Sequence, residues 1–382
     1  MSQTIYEFSF PTTVRFGAGS RHEIPTALKA AAVHRPLLVT DQGIAPLPFL
    51  QAMLAALQQA GLDVAVYSGV VGNPVKSQVT AGVEAFQAHQ ADAIVAVGGG
   101  AAMDVAKAIA LMAHHPGDLF EYEDGKPDAR PVDHAIPYLV AVPTTAGTGS
   151  EVGRSTVISD DATHAKKIIF SPRLLPQKVF ADPELLLGLP PNVTAATGMD
   201  ALTHCVEAYL AKGYQPLCDG IALEGVRLVA QNLVPSVEHG QNLEARTGML
   251  AAAMMGAVAF QKGLGATHSC AHALSTVYDF HHGFANALMI PYVMEFNRAV
   301  VADKLRMLAI AAAAPEQTAE GFIQWLVDLK ARVGIPAKLS QVGVTPDKLE
   351  ALVAVALADG CHSLNPRTCT ADDLRHIYLA AL

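Results

Sequence analysis

An α/β half followed by an all-helical half is the fold class that the 382-residue sequence predicts, and three observations carry it. Before about residue 188, short apolar runs alternate with helical stretches, the pattern of a mostly parallel sheet covered on both faces. After Leu189-Pro190-Pro191 the chain is alanine-rich and helical in period, with no strand run of comparable quality. The length itself is that of about two domains. The expected division is 1–188 and 189–382, without a flexible linker, low-complexity segment or repeat.

In the first half, Tyr6–Arg15 reads as a hairpin arm ahead of Gly17-Ala18-Gly19. The strand candidates are Leu37–Thr40, Val64–Tyr67, Ala93–Val97, Tyr138–Val142 and Val179–Ala181. Helices are expected over Phe49–Ala60, Ser77–Gln90 and Met103–Ala113. In the second half the long helical patterns are Val193–Ala211, Leu217–Val234 and Leu243–Phe260, with shorter ones to Leu382.

Composition narrows the function. Hydrophobic residues make up 51% and charged residues 16%, enough apolar surface for a large core and against disorder. The formal net charge of -9, with no basic run, argues against nucleic-acid binding. No stretch of eighteen or more apolar residues reads as a membrane span, and MSQTIYEFSF lacks the regions of a signal peptide. Cys205, Cys218, Cys270, Cys361 and Cys369 are scattered and form no C-x-x-C, which fits a reducing cytoplasm rather than a thiolate zinc site or a disulfide framework.

Two glycine-containing loops follow strands. Ala93–Val97 runs into Gly98-Gly99-Gly100-Ala101-Ala102-Met103-Asp104 and then a helix containing Lys107. Glycines at such a turn let a phosphate approach the backbone, and a helix N-terminus attracts anions; the same residues also suit a plain tight turn. Tyr138–Val142 runs into Pro143-Thr144-Thr145-Ala146-Gly147-Thr148-Gly149-Ser150-Glu151, whose hydroxyls can donate to a phosphate or a cofactor ring, or simply make a polar loop. Two such loops at the carboxyl ends of parallel strands make a nucleotide crevice credible, although no G-x-G-x-x-G is present. Asp41, at the end of Leu37–Thr40, would bind ribose hydroxyls and repel a 2′-phosphate, favouring NAD over NADP, or would cap a turn. Asn73-Pro74 stands similarly after Val64–Tyr67.

The second half carries the metal-ligating residue types. Asp200 and His204 are four residues apart, on one helical face; His268, His272, His281 and His282 fall within fifteen residues. An Asp-His-His-His set from Asp200, His204, His268 and His282 offers one oxygen and three nitrogens, which suits a divalent first-row metal better than calcium or magnesium. His272, one turn beyond His268, suits an outer-shell or proton-transfer role. His281 reads as loop structure or pocket lining. His22, His34, His89, His114, His115, His134, His164, His239 and His362 read as structural.

Together, GGGxxxDxxK (Gly98 to Lys107), PTTAGTGSEV (Pro143 to Val152), TGMDALTHCVEAY (Thr197 to Tyr209) and GLGATHSCAHAL followed by HHGFANA resemble the iron-containing, group III alcohol dehydrogenases, over nearly the whole chain and down to Asn365-Pro366-Arg367. The resemblance implies an N-terminal α/β nucleotide-binding domain and a C-terminal all-helical metal-binding domain, the dehydroquinate synthase-like architecture. It puts Asp200, His204, His268 and His282 on the metal-ligand positions and His272 on an additional active-site histidine. It puts Asp41, Asn73, Gly99, Gly100, Ala101, Thr144, Thr145, Thr148, Lys166 and Leu185 on cofactor-contacting positions, and Asp104 of the glycine loop is grouped with them. It implies NAD and a divalent metal, Fe2+ first with Zn2+ or Mn2+ as alternatives, a small alcohol or aldehyde substrate, and a homodimer or larger homo-oligomer. One departure is Ala101-Ala102 where the family's glycine motif continues with Ser-Pro, which removes a hydroxyl but leaves the backbone donors.

The expected chemistry is reversible hydride transfer between a primary alcohol and NAD, with the metal as Lewis acid and His272 as proton relay. A metal- and NAD-dependent lyase or synthase of the dehydroquinate synthase type is the nearest alternative, disfavoured because the segments around the metal residues are mostly apolar. A non-catalytic metal or nucleotide sensor is the alternative of a different class.

Overall fold

The computed structural model describes residue 10 and residues 12–382. In chain order the first part contains β1 (Thr13–Phe16), α1 (Ile24–Ala30), β2 (Pro36–Asp41), α2 (Pro48–Gln59), β3 (Ala65–Val70), α3 (Lys76–His89), β4 (Ala93–Gly98), α4 (Gly100–Met112), β5 (Tyr138–Pro143), β6 (Ser155–Ser159), β7 (Lys166–Phe170) and β8 (Lys178–Ala181). The second part is helical: α5 (Pro191–Leu210), α6 (Pro216–Glu238), α7 (Leu243–Ala259), α8 (Ala266–Tyr278), α9 (His282–Ala311), α10 (Ala319–Arg332), α11 (Leu349–Ala358) and α12 (Ala371–Ala381). The chain forms two compact units. One comprises residues 12–145 and Ser150–Leu186; the other includes Ala146–Gly149 and Leu187–Leu382.

In the α/β unit, six parallel strands lie in the order β1-β8-β5-β4-β2-β3. β4 is buried along its whole length, AIVAVG, which is why it reads as a continuous apolar run rather than an alternating one. Each fully buried Val, Leu or Ile here contributes roughly 1.5–3 kcal/mol. Gly82 lets α3 close onto α4: a Cβ there would meet Ile109 Cδ1 at 2.2 Å. The strand order reverses between β2 and β4, because β2 leads outward to β3 whereas β4 leads the other way to β5. Such a reversal opens a crevice beyond the carboxyl ends of the two strands.

The five expected strands and three expected helices of this unit are all present, with ends shifted by up to three residues. α4 begins earlier than expected, inside the glycine triplet. The antiparallel pair β6–β7 was not expected: SerThrValIleSer and LysLysIleIlePhe are too polar at their ends to read as buried strands. Of the arm expected over Tyr6–Arg15, residues 13–15 fall in β1. β1 pairs in parallel with β8 at the edge of the sheet, and residues 6–9 and 11 of the expected arm lie outside the described residues.

In the helical unit α5 is the central element, buried continuously from Thr194 to Leu210 and packed on α6, α7 and α9. Close approach is built in by glycines. A Cβ on Gly198 would lie 2.3 Å from Leu233 Cδ1, and one on Gly256 would lie 2.9 Å from His204 Cβ. Helix Leu243–Lys262 is, against expectation, long and apolar enough to cross a membrane by length and composition alone. Its packing on α5 and α6 gives that composition another origin. Arg246 is buried with its guanidinium donating to the Thr194 hydroxyl at 2.7 Å and to the Gly240 and Leu189 carbonyls at 3.0 and 3.1 Å.

Candidate metal centre and nucleotide loops

Three helices deliver four donor side chains to one place. α5 presents Asp200 and His204 one turn apart, α8 presents His268 in its first turn, and α9 opens on His282. One ligand atom from each of the four lies within 4.8 Å of the other three, and Asp200, His204 and His268 are buried. Asp200 Oδ1 is 3.5 Å from His282 Nε2 and 3.9 Å from His204 Nε2. Two ligand atoms each about 2.1 Å from a tetrahedral ion would stand about 3.4 Å apart, so small side-chain adjustments would close the set around a cation.

The chemical state of the donors fits such an ion. Burial pushes the His204 imidazole down to about 4 against the pull of Asp200, so it is neutral at ordinary pH and its nitrogen lone pair can coordinate. Asp200 is 2% exposed, and its recorded ionic partners are the histidines His204 and His282, with no lysine or arginine among them. A buried carboxylate facing imidazoles, with no lysine or arginine beside it, is costly unless a cation joins them. The residues therefore fit a divalent metal with three nitrogen ligands and one oxygen ligand.

The local sequence explains the convergence. Gly283 follows His282 directly, and a Cβ there would stand 2.4 Å from the Ala196 carbonyl oxygen and 3.0 Å from Asp200 Cβ. The bare glycine lets the start of α9 rest on the backbone of α5, which brings His282 to Asp200. His204 and His268 stack with ring centroids 4.8 Å apart, and His272 and His282 stack at 5.1 Å. His281 is exposed, one residue ahead of α9, and is outside the four-donor set.

Several polar side chains that sequence reasoning missed surround the donors. The buried Asn286 amide donates to Asp200 Oδ1 at 2.7 Å and lies 3.2 and 3.3 Å from the Nε2 atoms of His282 and His268. Glu207 accepts from His268 Nδ1 at 2.7 Å. Burial raises the Glu207 acid, but the bonds from His268 and Thr267 outweigh it and hold the carboxyl below its ordinary range. His272 Nδ1 bonds Asp359 Oδ2 at 2.7 Å, while Asp359 Oδ1 accepts from the Ser269 hydroxyl at 2.6 Å and the Cys361 N–H at 2.9 Å. Burial raises the Asp359 acid too, yet the His272 bond and these donors hold it well below the carboxylate range. Spacing could have found two of the three. Glu207 is three residues beyond His204, and Asn286 four beyond His282, each on its neighbour's face. Asp359 is 87 residues from His272 and has no local signal.

In the α/β unit Gly99, Gly100, Ala101, Thr144 and Thr145 directly follow the carboxyl ends of β4 and β5. β4 and β5 run in register to Gly98 and Pro143, and the Thr144 N–H donates to the Gly98 carbonyl at 3.0 Å. Asp41 ends β2, with Oδ1 accepting from the Ile44 N–H at 2.9 Å, and a Cβ on Gly98 would lie 3.5 Å from its Oδ2. Asp41 and the glycine loop thus flank the strand reversal together. Gly99 is the N-cap of α4 and offers no side-chain cap, so the first backbone N–H groups of the helix, at Gly100 and Ala101, have no acceptor within the helix or from the cap. A Cβ on Gly99 would lie 3.2 Å from the Thr145 hydroxyl. Asn73 follows β3 beside Pro74, whose carbonyl accepts from Ser159 N at 2.8 Å; Lys166 opens β7; Leu185 is buried in the turn after β8. Thr148 belongs to the helical unit, where Gly149 adopts φ +62° against the Ala253 carbonyl.

Asp104 has both carboxylate oxygens engaged, by the Ser150 hydroxyl at 2.7 Å and by Val157 N–H at 3.0 Å. It fastens α4 to the loop and to β6. Lys107, fully buried, donates to the Ser150, Gly153 and Ser155 carbonyls at 2.6, 2.9 and 3.0 Å, and burial pulls its ammonium down to about 8. Burial pushes the neighbouring Glu151 acid from 4.5 up to about 7. Between those two values the folded chain holds a proton that the unfolded chain has released. Glu151 therefore supports the fold fully below 4.5, and that support is lost as pH rises through about 7. Glu151→Gln should flatten the fall in stability between pH 4.5 and 7, read as denaturant midpoint against pH; an unchanged slope would assign the titration elsewhere.

Comparison with known proteins agrees with this anatomy. A family model described as iron-containing alcohol dehydrogenase matches residues 11–183, and one for the C-terminal part of the same family matches residues 194–382. A 4-hydroxybutyrate dehydrogenase of Cupriavidus necator is 40% identical over 379 residues, covering 96% of this chain and 97% of that protein. The crystal structure of a 1,3-propanediol oxidoreductase superposes with a TM-score of 0.95 at 35% identity, over 99% of this chain and 100% of that one. A sulfoacetaldehyde reductase from Bifidobacterium kashiwanohense, solved in complex with NAD+, has a TM-score of 0.88 at 29% identity and 99% coverage of both chains. A parallel α/β unit, an all-helical unit with a converging Asp-His-His-His set, and full-length likeness to alcohol and diol dehydrogenases lead to one conclusion: this chain belongs to the iron-containing alcohol dehydrogenase family and is an alcohol dehydrogenase.

Proposed function

We propose that the protein interconverts a small primary alcohol and its aldehyde with NAD(H), using a divalent ion held by Asp200, His204, His268 and His282. The convergence of those four donors within 4.8 Å is the observation that carries the reading. Bound there, the ion would act as a Lewis acid on the alcohol or aldehyde oxygen while the nicotinamide carries the hydride. The chain's own residues supply the rest. His204 is neutral and ready to coordinate. Asn286 fixes the Asp200 carboxylate. His272, oriented through Nδ1 by Asp359, exchanges the alcohol proton with solvent from its other ring nitrogen. Ferrous iron is the first choice of ion, with zinc or manganese able to occupy the same donors.

On the nucleotide side, the uncapped start of α4 and the residues Gly99, Gly100 and Ala101 suit the pyrophosphate through backbone N–H groups, so Ala101-Ala102 in place of Ser-Pro is compatible with binding. Asn73, Thr144, Thr145, Thr148, Lys166 and Leu185 complete the proposed cofactor contacts, and Asp104 acts through the loop it fastens. Asp41 would accept from the ribose hydroxyls and repel a 2′-phosphate. Asp41→Gly should relax the preference for NAD over NADP by about tenfold or more, as expected from losing roughly 1.4 kcal/mol of discrimination. An unchanged ratio of kcat/KM for the two cofactors would remove Asp41 from this role.

The relatives that act on 4-hydroxybutyrate and 1,3-propanediol support short, terminally hydroxylated substrates. The five free cysteines support a reducing compartment, and the enzyme works as a homodimer or larger homo-oligomer in this reading, which light scattering measures directly. The deciding experiment is absorbance at 340 nm with NADH, across a panel of short aldehydes and ω-hydroxy acids, on protein reconstituted separately with iron, zinc and manganese. Turnover supports the dehydrogenase; nucleotide binding without turnover would support a sensor.

A further inference from the structure

We propose that Glu207 is a positioning residue of the metal centre: its carboxylate fixes which nitrogen of His268 faces the ion and pins the backbone turn from which His268 projects. The inference rests on the metal centre proposed above. Glu207 is 2% exposed, and its recorded ion-pair partner is His268 rather than a lysine or arginine. Its charge is met by four donors. Oε2 accepts from His268 Nδ1 at 2.7 Å, from Gly265 N–H at 2.9 Å and from His268 N–H at 3.4 Å; Oε1 accepts from Thr267 N–H at 2.6 Å. Three of these are backbone donors at the start of α8, whose N-cap, Gly265, has no side chain to serve them.

The consequence for His268 is geometric. With Nδ1–H committed to Glu207, the tautomer that leaves the Nε2 lone pair unprotonated is selected, and Nε2 is the atom turned toward the Asp200, His282 and Asn286 side. The arrangement also couples two helices. Asp200, His204 and Glu207 stand at i, i+4 and i+7 of α5, so one stripe of this buried helix carries two of the four donors and the clamp on a third. The approach is tight: a Cβ on Gly265 would come 2.9 Å from Glu207 Oε1 and 2.9 Å from Asn365 Oδ1, and Asn365 itself accepts from Ala266 N–H at 3.2 Å. The ring and the turn beneath it are held by the same carboxylate.

The test compares Glu207→Gln and Glu207→Asp with the parent full-length protein, using Co2+ as the probe ion. Glutamine must turn its NH2 toward one of the donor groups, so it breaks the clamp while keeping the volume. Aspartate keeps the charge, and hence the fold, but withdraws the carboxylate by one methylene. Competition against a chelator reads affinity, the visible Co2+ absorption reads ligand geometry, and melting of the metal-free protein reads structure separately. The expected result is about 10–100-fold weaker Co2+ binding in both variants with an altered Co2+ spectrum, the range seen when outer-shell partners of metal ligands are lost. A purely structural role would lower the metal-free melting temperature and leave affinity and spectrum as in the parent, and that result would overturn the proposal. Glu207→Asp decides the matter alone should Glu207→Gln fail to fold. A parent protein that binds no Co2+ would overturn the metal centre itself; equal binding by parent and variants overturns only the role of Glu207.

Discussion

His268→Ala is expected to release the ion and abolish alcohol oxidation in the same step. Removing one of the four proposed ligands leaves Asp200, His204 and His282, and it leaves Glu207 without its imidazole partner. The Glu207 carboxylate still accepts from the Gly265, Thr267 and residue-268 backbone N–H groups, so the start of α8 keeps its anchor and the fold should persist. Lewis-acid polarisation supplies several kcal/mol of transition-state stabilisation, and losing about 4 kcal/mol corresponds to about 1,000-fold in rate. Metal content and NADH-linked turnover, measured on the same sample, check this. A metal-free variant that still turns over like the parent would remove His268 from the centre.

Gly283→Ala is the second large effect, and its sign is the informative part. Alanine in place of glycine within a helix ordinarily favours the helix by about 1 kcal/mol. Here the added methyl would sit 2.4 Å from the Ala196 carbonyl oxygen and 3.0 Å from Asp200 Cβ, and both belong to the buried central helix α5. α5 has no room to retreat, because Gly198 and Gly256 already mark close packing around it. The first turn of α9 must therefore lift, carrying His282 away from Asp200. Overpacking of this kind costs about 1–3 kcal/mol, and a displacement of about 1 Å in a reacting group costs about 100-fold in activity. Thermal melting of the metal-free protein and kcat of the metal-loaded protein measure the two effects separately. A stabilised variant with full activity would contradict the packing argument.

What the sequence could and could not announce follows from the physics of each element. β4 and β5 were readable because a strand buried on both faces must be a continuous apolar run, and Gly98 and Pro143 mark where those two runs stop. Asp200 and His204 were readable because helical periodicity alone puts them side by side. Glu207 was within reach of the same reasoning, three residues on, but a lone glutamate in an apolar helix carries no mark of its partner. Asp359 was out of reach: its bond to His272 depends on the packing of α11 against α8. The β6–β7 hairpin was missed because Lys166 and Lys167 give its second strand a polar start. A single boundary near residue 188 also cannot express that Ala146–Gly149, embedded in the α/β stretch of sequence, pack with the helical unit. That packing depends on Gly147 and Gly149 lying against Thr197 and Ala253, a steric fit between residues far apart in the chain.

In the proposed mechanism Asp200, His204, His268 and His282 hold one divalent ion on which turnover depends. Stripping the protein of metal and titrating ferrous iron back anaerobically, with bound metal and NADH-linked turnover followed together, tests it most directly. Activity is expected to rise in proportion to occupancy and to saturate at one ion per chain, with no such rise in His268→Ala. Full turnover at zero bound metal would contradict it.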